Sequence, residues 1–142
     1  MSDQNNEFSF EENEKINEKY LSEFNTWLNE KGLAKKTIRN HVNNAELFIN
    51  HFLNYYEGAK MEDGIDNIGY FFSTWFIEKC MWSSKSAIKE TAASIKKFYQ
   101  CMSEKGYVSD DYSKQISGYI KEEMSYFLEQ MDDYDNGTFY DW

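Results

Sequence analysis

The amino-acid sequence predicts an all-α protein built from five helices. Three observations carry that reading. Apolar residues recur at steps of three or four in five segments, the period of a stripe on one helix face. There is no proline and there are only seven glycines, too few turn formers for a sandwich or barrel. Hydrophobic residues make up 41% of the 142 positions and aromatics 18%, which suffices for one globular domain with a real core.

Residues 1–10 are polar and are expected to form a flexible N-terminus. A first helix is expected from Glu11 to Lys31, with Ser9 or Asn13 near its start and Gly32 at its end. Ile16, Tyr20, Phe24, Trp27 and Leu28 form its apolar face. The second helix, Lys35 to Glu57, carries Ile38, Val42, Ala45, Ile49, Phe52 and Tyr56 on its core face. Its cap position holds Ala34, a poor cap. After the loop GAKMEDG, Asp66 is placed to cap a third helix over Asn67–Trp82. That helix is apolar around much of its circumference and is expected to be central.

The fourth helix, in the stretch Ser83–Gly106, is the most regular. Ile88, Ala92, Ile95, Tyr99 and Met102 form its stripe, Ser84 is its N-cap, and Gly106 is its left-handed stop. A fifth helix follows over Asp111–Met131, with Tyr112, Ile116, Ile120, Met124, Phe127 and Leu128 inward. The helical domain is thus expected over residues 11–131, followed by an acidic aromatic tail over 132–142.

The formal charge of −10 argues against a typical basic nucleic-acid-binding domain. Its distribution is uneven. Residues 1–34 hold three basic and eight acidic residues, residues 35–105 ten and eight, and residues 106–142 two and nine. The middle is mildly basic between acidic ends. No apolar run reaches a membrane span, and the opening MSDQNNEF has no signal-peptide pattern. Cys80 and Cys101 make no disulfide framework, so a reduced, cytoplasmic protein without a membrane partner is expected.

Two stretches carry a resemblance. FNTWLNEKGLAKKTIRNHVNNAELFINHFL (24–53) and SSKSAIKETAASIKKFYQCMSEKGYV (83–108) resemble the two helical hairpins of the N-terminal core-binding, SAM-like domain of the phage integrase (tyrosine recombinase) family. Trp27, Leu28, Gly32, Leu33, Thr37, Ile38, Phe52 and Leu53 match the first half of the family pattern; Ile95, Phe98, Tyr99 and Gly106 match the second. The likeness covers residues 16–108 and implies a four-helix core-binding bundle with an added C-terminal helix. It also implies contact with double-stranded DNA, in the service of recombination or integration. The residues it places at that contact are Lys35, Lys36, Arg39, Lys85 and Lys89, and Asn43 and Lys96 share the same cationic helix sectors. The family's Asn-Pro linker after the last glycine is missing. A single arginine, Arg39, cannot supply the catalytic Arg and His-x-x-Arg set, so no recombinase chemistry is expected of this chain.

Each signal has a plainer reading. Lysine on a helix flank is ordinarily a solvated residue; the functional alternative is phosphate contact from side chains and helix N-termini. His41 and His51 lack companions at ligand spacing, so no metal site is expected, and Cys80 and Cys101 read as buried thiols. No phosphate loop, nucleophile elbow or acid–base pair is present, so neither enzymatic activity nor a cofactor is expected. The aromatics between Tyr134 and Trp142 exceed what a five-helix core needs. They support the alternative of a helical protein-interaction or regulatory module, self-associating or docking a partner through its tail.

Overall fold

The computed structural model describes residues 8–136, and every regular element among them is helical. The last six residues of the expected tail, 137–142, and residues 1–7 of the expected flexible N-terminus lie outside the described residues. The five expected helices are all present. The chain divides into two compact units, Met1–Gly64 and Ile65–Trp142.

In the first unit, α1 (Phe10–Glu30) starts at Ser9, whose hydroxyl accepts the Glu12 N–H at 3.2 Å. It stops at Gly32, which takes the left-handed φ of 80° expected of it. The second helix begins as α2 (Lys35–Glu46) and continues without a break as a π-helical run, Leu47–Glu57. The two rods pack antiparallel around Phe24, Leu28, Phe48, Phe52 and Leu53, all with no exposed surface.

Two residues expected in this core are outside it: Ile16 is 45% exposed and Tyr56 50%. Both corrections trace to asparagines. On α1 the buried stripe runs through Asn13 and Asn17, then Tyr20, Leu21 and Phe24, so Ile16 falls beside it. On the partner rod, i→i+5 bonding adds about one residue to each turn. Positions late in the run therefore lag behind an α-helical period, and Asn50 and Asn54 turn inward while Tyr56 turns out.

The buried amides are linked. Asn17 Nδ2 donates to the Ile49 carbonyl and to Asn50 Oδ1, both at 3.2 Å. Asn54 Nδ2 donates to the Phe10 carbonyl at 3.1 Å and to the same Asn50 oxygen at 3.2 Å. Asn13 Nδ2 reaches the Ala59 carbonyl at 3.3 Å. Because main-chain carbonyls only accept, these bonds determine which way the Asn17 and Asn54 amides face. Their own Oδ1 atoms are left buried without a donor.

In the second unit, α3 (Gly64–Tyr70) passes through a π-helical turn, Phe71–Trp75, into α4 (Phe76–Lys79). The third helix thus starts and stops three residues earlier than expected. Asp66 lies within its first turn rather than capping it. Met81 and Trp82 fall in the following turn, 99% and 61% exposed. Ser84 caps α5 (Lys85–Glu104), accepting the Ala87 N–H at 3.0 Å. Gly106, at φ 84°, ends it as expected. Ser109 caps α6 (Asp110–Asp135), which runs four residues past the expected end into the acidic segment.

Helices α5 and α6 form an antiparallel hairpin, and the Phe71–Trp75 turn packs on α6. Ile88, Ile95, Phe98, Tyr99, Ile116, Ile120 and Phe127 fill the interior with Phe71, Phe72 and Phe76. Met124, Leu128 and Tyr112 are half-buried rather than inward; the Tyr112 hydroxyl accepts the Ile65 N–H at 3.0 Å. Gly69 has a steric reason: a Cβ there would collide with the Tyr119 hydroxyl. No helix among the described residues is long and apolar enough to cross a membrane.

Candidate functional site

The cationic residues singled out in the sequence divide between the two units. In the first, Lys35, Arg39 and Asn43 follow one another at steps of four on α2 and border one groove of about 440 Å³. Its other wall is the end of α1, where Asn25 and Asn29 lie one turn apart. Asn29 Nδ2 donates to both the carbonyl and the Oδ1 of Asn25, at 3.0 and 2.9 Å. Ile38 and Val42 make the apolar floor.

Two local features shape this groove. The backbone must turn sharply after Gly32 to bring α2 back along α1, which sets the two helix termini side by side. Ala34 offers no side-chain cap, and the first main-chain bond of α2 is from the Ile38 N–H to the Ala34 carbonyl at 3.0 Å. The N–H groups of Lys35, Lys36 and Thr37 are therefore without an intrahelical acceptor. Lys36 is exposed beside the groove without lining it. Among the described residues, none of Lys35, Lys36 and Arg39 is ion-paired with a carboxylate.

In the second unit the set on α5 is not one cluster. Lys85 Nζ lies 2.8 Å from Asp132 Oδ2 on the last turns of α6, so its charge is already matched. Lys89 is exposed and has no carboxylate partner among the described residues. Lys96 stands eleven positions after Lys85, about 16 Å along the axis, and borders a different groove with Lys97 and Lys114. The shared sector inferred from helical angles ignores that axial separation.

No protein-family model matches the chain, and no curated protein or solved structure matches it.

Of the remaining reactive side chains, the two thiols fall into the core. Cys80 and Cys101 are buried, and burial pushes the Cys80 thiol up to about 11, far from nucleophilic readiness at neutral pH. His41 is half-buried and His51 exposed. Among the described residues no three His, Cys, Asp or Glu side chains converge on a metal position. Sequence reasoning missed Asn25, Asn29, Lys97 and Lys114. The two asparagines had a signal: an i,i+4 amide pair in the last turns before a helix-ending glycine.

Proposed function

We propose that the chain is a non-catalytic DNA-binding module that grips duplex phosphates through the α1–α2 groove. The observation that carries this reading is the Lys35–Arg39–Asn43 stripe, without carboxylate partners, next to an uncapped helix start. Ammonium, guanidinium and unsatisfied N–H groups at a helix N-terminus are the donors that phosphate oxygens select. The resemblance to the core-binding domain of tyrosine recombinases supports the same surface and a four-helix bundle of that type. It is also what would link such binding to recombination or integration. With a net charge of −10, binding is weak and largely independent of base sequence.

Fluorescence anisotropy of a labelled duplex with the full chain tests this. Three phosphate contacts, from Lys35, Lys36 and Arg39, predict that affinity falls about 40-fold as salt rises from about 50 to about 200 mM. Lys35→Glu with Arg39→Glu abolishes binding. Lys85→Ala changes it little, because Asp132 already neutralises that lysine. Absence of binding at low salt, or indifference to the double charge reversal, rules the reading out.

One observation favours a second reading, a protein-interaction module. Met81 and Trp82 stand in a turn with 99% and 61% of their surfaces exposed, and Trp and Met are enriched where proteins meet. If that turn mediates self-association, light scattering over a concentration series gives a dimer for the full chain and a monomer for Met81→Ser with Trp82→Ser. Monomers in both cases remove self-association through this turn.

A further inference from the structure

The second unit is acidic, with eight basic and thirteen acidic residues over 65–142. Yet three of its eight cations border a single cleft. It lies between the last turns of α5 and the first turns of α6 and has a volume of about 510 Å³. Lys96 and Lys97 line it from α5; Asp110, Ser113, Lys114 and Ser117 line it from α6. Asp110 is held by Lys114 at 3.0 Å, and that bond also raises the Lys114 pKa, keeping the ammonium charged. Lys96 and Lys97 have no carboxylate partner among the described residues. The cleft thus carries a surplus of two positive charges.

Solvated lysines need no ligand, and Lys97 alone would be one. Ser113 adds a group of another kind: it is a serine only 7% exposed that lines the cleft between the lysines. Ser117 repeats the hydroxyl one turn further along the same wall. Ala93 is the only apolar residue in the lining, so nothing there stacks on a ring or holds a lipid chain. The chemistry on offer is ammonium groups and hydroxyl donors along a trough.

We infer that this cleft binds linked phosphate groups, such as the phosphate chain of a nucleoside triphosphate or a short inorganic polyphosphate. A single phosphate would leave most of the volume empty, since ligand sites of about 300–1,000 Å³ take molecules of drug size. A linked chain places successive oxygens against Lys96, Lys97 and the two hydroxyls. The Asp110 carboxylate repels phosphate, and its pairing with Lys114 offsets that repulsion.

Isothermal titration of the full chain at low salt with tripolyphosphate, ATP, orthophosphate and citrate tests the inference. Tripolyphosphate and ATP should bind with similar Kd, because the base is not read; orthophosphate should be roughly tenfold weaker or worse. ATP well ahead of tripolyphosphate would make a nucleoside the recognised feature and overturn the assignment. Equal binding of citrate would overturn the phosphate class. Lys96→Ala with Lys97→Ala should lose roughly tenfold or more, and Ser113→Ala about threefold, while Lys79→Ala, on an exposed residue outside the cleft, loses nothing. Circular dichroism of each variant reports folding. Lys35→Glu with Arg39→Glu should leave tripolyphosphate binding intact, so this site and the DNA reading fail separately. A labelled duplex that displaces tripolyphosphate, and loses affinity on Lys96→Ala with Lys97→Ala, would make the cleft part of a DNA surface and refute a site of its own.

Discussion

Replacing Phe72 with alanine is expected to destabilise the protein by about 3–5 kcal/mol, the largest effect of any single substitution considered for this chain. Phe72 has no exposed surface. Its ring meets Phe71 edge-on at 4.9 Å and lies 5.3 Å from Phe127 of α6 and 6.3 Å from Phe76. Those neighbours are aromatic rings held on helices, which cannot collapse into the space that the deletion leaves. The loss therefore combines the transfer energy of the ring with a cavity term. Domains of this size are stable by only about 5–15 kcal/mol, so the variant is expected to be partly unfolded at room temperature. Urea unfolding followed by circular dichroism measures it. Trp82→Ala, on a side chain that is 61% exposed, should change the unfolding free energy by less than about 0.5 kcal/mol. Equal costs at the two sites would mean that the Phe71–Trp75 turn does not pack on α6.

The second large effect is expected at Asn50. Its single Oδ1 accepts from both Asn17 and Asn54, and all three side chains are buried. Alanine there leaves one amide hydrogen of each buried neighbour without its acceptor. The interior already holds two unpartnered amide oxygens, on Asn17 and Asn54. A buried donor deprived of its partner costs about 1–3 kcal/mol, so Asn50→Ala should cost on the order of 2–4 kcal/mol in total. Asn29→Ala removes a comparable pair of amide bonds at an exposed site and should fall within about 0.5 kcal/mol of the parent. The same urea titration compares them. Equal small costs would show that the asparagine links add nothing to stability.

The fold class was readable from the sequence because it rests on apolar periodicity, and periodicity survives small errors in boundaries. The regular stretch Lys85–Glu104 illustrates this: its cap, its stripe and its terminal glycine were all where the spacing put them. What was not readable followed from two departures from the α-helix rule. The π-helical runs at Leu47–Glu57 and Phe71–Trp75 change the period, and no propensity distinguishes their residues from ordinary helix formers. Asparagine at Asn13, Asn17, Asn50 and Asn54 reads as surface in any hydrophobicity pattern, yet all four are buried. The candidate site was partly legible. Lys35, Arg39 and Asn43 share a groove as their i,i+4 spacing implies. The ion pair of Lys85 with Asp132 joins residues 47 positions apart in a single chain, and local spacing carries no information about such a partner.

The asparagine links also determine how the first unit assembles. Asn13 and Asn17 are spaced by one turn on α1, and Asn50 and Asn54 by one turn on the facing rod. Apolar side chains alone would let two helices slide by a turn at little cost, because one phenylalanine replaces another across the seam. A slip of that kind here would carry Asn17 away from the Ile49 carbonyl and from Asn50, burying its amide against hydrocarbon. Buried polar side chains are the best-attested device for setting helix register. Asn50, accepting from both sides, is the tooth on which that register engages. The polar cost inside the first unit thus holds Lys35 and Arg39 at a constant height against Asn25 and Asn29, so the geometry of the groove is set about two helical turns away from it.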